Sequence, residues 1–203
     1  MRRIHRPAVL WSKPTAPAAA APAAAVGWNI ADATAVNDYT LSNSNKTATR
    51  ANSNNGGIRG LGSKTSGLLY FESFVDTDIN VSALFLGIAS AGYALATSPY
   101  SGPGGSFAIY YDAGGIQTDT GAGPAPTAYI TNDVLGFEVS FAASTVRFFK
   151  NNTLQSTASF TSGSAMFPVM QTRGATTGAV ATVRTLAADQ TYPSRSGGYV
   201  SWD

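Results

Sequence analysis

Residues 132–160 read NDVLGFEVSFAASTVRFFKNNTLQSTASF, and two runs in them alternate in hydropathy. Leu135, Phe137, Val139 and Phe141 interleave with Val134, Gly136, Glu138 and Ser140, and Val146 and Phe148 interleave with Thr145, Arg147 and Phe149. A period of two is the mark of a half-buried strand, because successive side chains leave opposite faces of a sheet. A third run, Thr153 to Phe160, follows Lys150-Asn151-Asn152. Asparagine tolerates positive φ, so Asn151-Asn152 suits the tight two-residue turn of a twisted hairpin. Ala142-Ala143-Ser144 makes the other connection, and the spacing predicts a three-strand antiparallel meander.

Strand patterns extend in both directions. Upstream lie Trp28-Asn29, Tyr39 to Ser42, Lys46 to Asn52 after an Asn43-Ser44-Asn45 turn, and Ile58 to Leu61 after the NSNNGG loop at 52–57. Leu68 to Val75 is apolar on both faces, as a central covered strand should be, with Glu72 as the exception. Val81 to Ser90 follows, its Gly87 read as a bulge or close approach. Phe107 to Tyr111, Met166 to Thr172 and Val180 to Leu186 complete the set. Two Gly/Pro-rich loops, Ala91 to Gly105 and Asp112 to Pro126, separate them. The chain divides into an arm over 1–27, a β domain over 28–186 and a polar tail over 187–203.

Five motifs stand in a familiar order. NDVLGFEVSFAASTVRFFKNN resembles the signature of SPRY domains, as do GLLYFES at Gly67 to Ser73, LGIAS at Leu86 to Ser90, GSFAIYYDAGG at Gly105 to Gly115 and MFPVM at Met166 to Met170. The opening from Trp28 to Ser42 resembles bacterial and phage relatives of that family. The pattern departs at Asn132 and Asn152, where glycine is usual, in lacking a tryptophan near Phe107, and in a Gly/Pro-rich insertion at Thr118 to Pro126. The resemblance implies an all-β, two-layer antiparallel β-sandwich of the concanavalin A-like class, here carrying an extended N-terminal arm. It implies binding and no particular chemistry.

Composition narrows the functions. Charged residues make up 12% of the 203-residue chain, about half the usual ~25%. A polar, weakly charged surface fits packed neighbours or neutral ligands such as sugars. Beyond Arg2, Arg3, Arg6 and Lys13, 9 basic residues face 11 acidic ones, which leaves no basic patch for nucleic acid. There is no cysteine, hence no disulfide or thiolate metal site. No apolar run reaches the ~18 residues of a membrane span.

Residues 1–27 are a different material. Pro7, Pro14, Pro17 and Pro22 break any helix and favour an extended path. A signal peptide is not expected, since the apolar patch Ala8 to Trp11 has four residues, against the roughly 7 to 15 of an h-region. A Pro/Ala arm has no core of its own, and it is expected to lie in a groove of a partner or of a second copy, the alternative being a flexible linker left from a longer precursor. Arg2, Arg3, Ile4, Leu10 and Trp11 are the expected anchoring contacts.

Catalytic sets are scarce. His5, in the arm, is the only histidine, so no histidine triad or histidine metal cluster is expected in the domain. Asp76-Thr77-Asp78-Ile79-Asn80 opens like a calcium loop but has Val81 where glycine and Gly87 where glutamate would be needed. Glu72 reads either as a functional carboxylate or as a loop-pinning residue, and neither it nor Glu138 begins the E-x-D-x-x-E strand pattern of related glucan hydrolases. No phosphate-binding loop is present. No catalytic residue, metal or cofactor is expected.

Binding is expected at the tyrosine-bearing loop: Tyr93 and Tyr100, with Tyr110, Tyr111, Asn54 and Asn55 as neighbours, pair aromatic faces with amides, the usual means of holding neutral polar ligands. The phage-like resemblance, low charge and arm together lead to the expectation of a bacteriophage virion protein. It would be a capsid decoration, head-fibre or tail-fibre component, trimeric and joined to other virion proteins through its arm. A carbohydrate- or receptor-binding module that meets a host-surface glycan is the alternative, and a peptide-recognition module a third.

Overall fold

Residues 132–160 form the meander. In a computed structural model that describes residues 26–35, 38–52, 54–78, 83–174, 177–192 and 197–203, strands β10 (Val134–Ser140), β11 (Thr145–Lys150) and β12 (Thr153–Ser159) pair antiparallel in sequence order. Asn151 and Asn152 sit at φ 46° and 68°, and Asn132 at 73°. Asparagine here occupies the left-handed conformation for which glycine is usual. Asn151 also secures the turn, accepting from the Val134 amide at 2.9 Å and donating to Asp133 at 2.6 Å.

The meander is the flank of one of two antiparallel sheets. Sheet II runs β12-β11-β10, then β5 (Leu68–Thr77), β14 (Val180–Arg184), β3 (Thr47–Arg50) and β2 (Tyr39–Ser42), with the two-residue β15 (Val200–Ser201) parallel to β5. Sheet I runs β1 (Trp28–Ala33), β4 (Gly56–Gly60), β13 (Met166–Thr172), β6 (Leu84–Ser90), β7 (Phe107–Tyr111), β8 (Gly115–Thr118) and β9 (Gly121–Ala122). The remaining named elements are two 3-10 turns, Pro99–Ser101 and Ala187–Asp189.

The inward-facing residues of both sheets build one core. Phe71 stacks on Phe137 with centroids 4.7 Å apart, Phe137 meets Phe148 edge-on at 5.8 Å, and Tyr110 reaches Phe148 from sheet I at 6.1 Å. Trp28 ties the layers together, since its indole N–H donates across the sandwich to Ala181 O at 3.1 Å. Gly56 and Gly57, read as loop from sequence, belong to β4. A Cβ on Gly56 would lie 2.5 Å from the buried Arg50 guanidinium, and one on Gly57 2.7 Å from Leu95 Cδ2. These glycines admit close packing over a strand.

Described residues after 186 are built into the sandwich. Trp202 is buried against Phe71 and Phe141, and its indole donates to Gly62 O at 2.7 Å. The insertion at 118–126 crosses the free edge of β12: Thr120 Oγ1 donates to Ser159 O at 3.0 Å and Ser156 Oγ to Pro124 O at 3.1 Å.

Candidate functional site

The outer face of sheet I carries a second apolar layer. Phe85, Ala89, Phe107, Ile109 and Val169 point away from the main core, and the loop after β6 folds back on them with Tyr93 and Leu95. Two buried polar side chains fix the path of that loop. Gln171 on β13 donates to Leu95 O at 2.8 Å and Thr97 O at 2.7 Å, and accepts from the Tyr93 hydroxyl. Arg59 on β4 donates to Ser90 O at 3.1 Å, to Ala91 O at 3.2 Å and to Tyr93 O, and pairs with Asp32 at 2.9 Å. Buried donors must find acceptors, and here the loop carbonyls supply them, which ties the loop backbone to sheet I.

Past this anchored part the loop rises over the end of sheet I and leaves a cleft of about 420 Å³ between itself and the β8–β9 turn. Tyr100, Phe107, Gln117 and Asp119 supply its chemistry, and Gly102, Gly104, Gly105 and Gly121 its low walls. Tyr100 is 42% exposed. Its ring is set edge-on to Phe85 at 5.7 Å and to Tyr111 at 5.5 Å, with the Arg173 guanidinium 5.3 Å from its centroid. Burial first, then Tyr111, raises the Tyr100 phenol well above its usual range, so it acts here as a neutral hydroxyl. Asp119 accepts from the Thr161 amide at 3.2 Å, which orients its carboxylate at the rim. The Gln117 amide, half-buried, makes no hydrogen bond within the described residues.

The sequence-expected residues separate. Tyr100 and Tyr111 come together, Tyr100 in the cleft and Tyr111 half-buried behind it. Tyr93 is 2% exposed and spends its hydroxyl on Gln171; Tyr110 is fully buried and donates to Thr127 O. Both are structural tyrosines. Asn55 accepts from the Gly174 amide at 2.9 Å, next to Arg173, while the Asn54 carbonyl accepts from Arg50 at 2.6 Å; neither lines the cleft. The arm residues Arg2, Arg3, Ile4, Leu10 and Trp11 lie outside the described residues. Phe107, Gln117 and Asp119 line the cleft, and sequence reasoning did not single them out. Phe107 reads as an ordinary strand residue, and the other two lie beyond the tyrosine loop, on β8 and just after it.

The carboxylates considered for chemistry are committed elsewhere. Glu72, fully buried, accepts from the Thr191 and Tyr192 amides at 2.7 and 2.8 Å, and Glu138 pairs with Arg147 at 2.6 Å. Among the described residues no three His, Cys, Asp or Glu side chains gather as a metal site.

The architecture is that of SPRY domains. The SPRY domain of human HERC1 superposes with a TM-score of 0.63 at 12% identity, over 78% of this chain and 97% of that one. The TRIM65 PSpry domain gives 0.58 at 12% identity over 78% and 90%. A human SPRY domain gives 0.57 at 16% identity over 72% and 94%. No family model matches the sequence, and no curated protein matches it.

Proposed function

We propose that this chain is a non-enzymatic binding protein whose SPRY-like sandwich holds a neutral, hydroxyl-rich ligand of glycan type in the Tyr100 cleft. The observation that carries the reading is Tyr100 itself: a 42%-exposed aromatic ring beside an uncommitted amide and an oriented carboxylate. A stacking face with a few fixed polar groups is the usual means of holding neutral polar ligands. The backbone beneath is pinned by Gln171 and Arg59, so little ordering is needed on binding.

Glycan-array screening and titration of the full-length protein test this. Tyr100→Ala is expected to weaken binding about tenfold or more, equivalent to roughly 1.4 kcal/mol, while circular dichroism stays that of the folded chain. Absence of glycan binding by the intact protein, or undiminished binding by the variant, overturns the reading. Capture of short peptides instead would move it to peptide recognition.

The wider setting we propose is a bacteriophage virion, with the sandwich displayed as a decoration, head-fibre or tail-fibre component and the first 27 residues as its anchor. Low charge, the lack of cysteine and the Pro/Ala arm support that setting. A chain starting at Val26 should fold and lose assembly, read by light scattering against the full-length protein, for which a trimer is expected. Identical assembly of the two chains would refute an anchoring arm.

A further inference from the structure

One charge stands in the Tyr100 cleft. Its lining is otherwise tyrosine, phenylalanine, proline, glutamine, threonine and glycine, and Asp119 is the exception. The carboxylate is half-buried at the rim, where it accepts from the Thr161 amide at 3.2 Å with each oxygen and from the Phe107 amide at 3.5 Å. Neutral amides orient a carboxylate and leave its charge uncancelled. Among the described residues no lysine or arginine forms an ion pair with it.

Arg173, the cation beside Tyr100, is too distant to cancel that charge. The ladders set the separation. Thr172, the residue before Arg173, pairs with Leu84 at one end of β6, whereas Asp119 follows β8 and bonds to Phe107, which pairs with Ala89 toward the other end. From Leu84 to Ala89 the strand advances roughly 17 Å, and the steps from β13 across β6 and β7 to β8 add roughly 14 Å sideways, so the two backbones stand about 20 Å apart. The Debye length near physiological salt is about 8 Å.

Sign is what a carboxylate adds here. A ligand hydroxyl could be met by an amide, and Gln117, two residues earlier, already brings one to the cleft. An acidic group entering beside Asp119 would meet a like charge with no cation to offset it, and an ammonium would meet its opposite. A repulsive element of this kind separates ligands that share every attractive contact.

We propose that Asp119 is the specificity-determining residue of the cleft, sorting sugars by charge so that uronic acids are turned away and neutral and amino sugars are admitted. The inference rests on the glycan reading of that cleft and adds a rule for which glycans it takes.

Amide chemical-shift titration of the full-length protein tests it, with glucose, glucosamine and glucuronic acid as one matched series and galactose, galactosamine and galacturonic acid as another. The amides of Gln117, Asp119 and Gly121 report on the cleft. In whichever series binds, the amino sugar should bind best and the uronic acid worst, with about tenfold between the neutral and acidic members. Asp119→Asn removes the charge, keeps an oxygen for the Thr161 amide, and should bring the neutral-to-acidic ratio within about twofold. The ratio is the readout, because a general loosening of the cleft would weaken all members alike. Raising salt from about 0.1 M to 1 M, which cuts the Debye length from roughly 10 Å to 3 Å, should narrow the ratio in the parent and leave that of the variant unchanged. The proposal is overturned if the parent binds neutral and acidic members equally, if Asp119→Asn with a dispersed spectrum keeps the parent's ratio, or if that ratio ignores salt. Should the variant fail to fold, the salt response of the parent decides alone. Silence of these amides toward all six sugars removes the glycan reading itself and this inference with it, whereas a bound neutral sugar with no order by charge removes this inference alone.

Discussion

At the residue scale, Glu72 shows how surroundings assign a role that a residue type leaves open. A lone carboxylate on an apolar strand reads equally as a reactive group or as a brace. Here its two oxygens take the Thr191 and Tyr192 amides and the Tyr70 hydroxyl at 2.7–2.8 Å, with Arg184 at 3.7 Å. The carboxylate substitutes for a strand partner, giving the C-terminal segment a place on sheet II where no ladder runs. Glu72→Gln would turn an NH₂ group toward one of these donors. Breaking one member of a buried charged set leaves the others unpaired, so a loss of about 2–4 kcal/mol is expected. Denaturant unfolding measures the loss, and hydrogen exchange locates it: amides 191 and 192 should lose protection before those of β10. Unchanged protection at those two amides would refute the bracing role.

At the element scale, what could be read from sequence was what local pattern dictates. The alternation in 134–149 gave the meander to within a residue at each end, and Asn151-Asn152 gave its turn. Gly87 read as either a bulge or a close approach, and the ladder decides. Pairing runs unbroken through Gly87↔Ile109, while a Cβ there would fall 2.2 Å from Ala108 O and 2.8 Å from Ile109 Cα. Both obstacles are backbone and cannot turn aside, so Gly87→Ala should cost about 3 kcal/mol. Gly92→Ala, whose Cβ would meet nothing nearer than 3.6 Å, should stay within about 0.5 kcal/mol. Thermal or urea unfolding of the pair checks this, and equal stabilities would remove the close-approach argument. The candidate site was less legible because its parts meet across the fold. Gln171 and Tyr93 are 78 residues apart, and no periodicity within either stretch announces their bond. The tyrosine-rich loop therefore looked uniformly available for binding, although its first half is spent on covering sheet I.

At the scale of the whole molecule, tyrosines couple the sandwich to alkaline pH. Burial is the first cause in each case: it lifts Tyr39 and Tyr110 from 10.0 to about 12, and Tyr93 and Tyr129 are raised as well. They lie in different layers, with Tyr39 and Tyr129 in the central core and Tyr93 under the loop on sheet I. A phenol whose folded pKa exceeds its unfolded value keeps its proton in the native chain after the unfolded chain has lost it. The native state then binds more protons, and stability falls as pH rises above about 10. Because these rings are interlocked with the packing of both sheets, none can ionise without opening the structure around it. Phenolate absorbance and circular dichroism followed together from neutral pH upward should show some of the nine tyrosines titrating normally. The buried set should ionise only as the β signal collapses, in one cooperative step. Titration of all of them near the ordinary value with the β signal intact would show that the core admits hydroxide freely, and would remove the basis for treating the loop over sheet I as a rigid floor beneath the Tyr100 cleft.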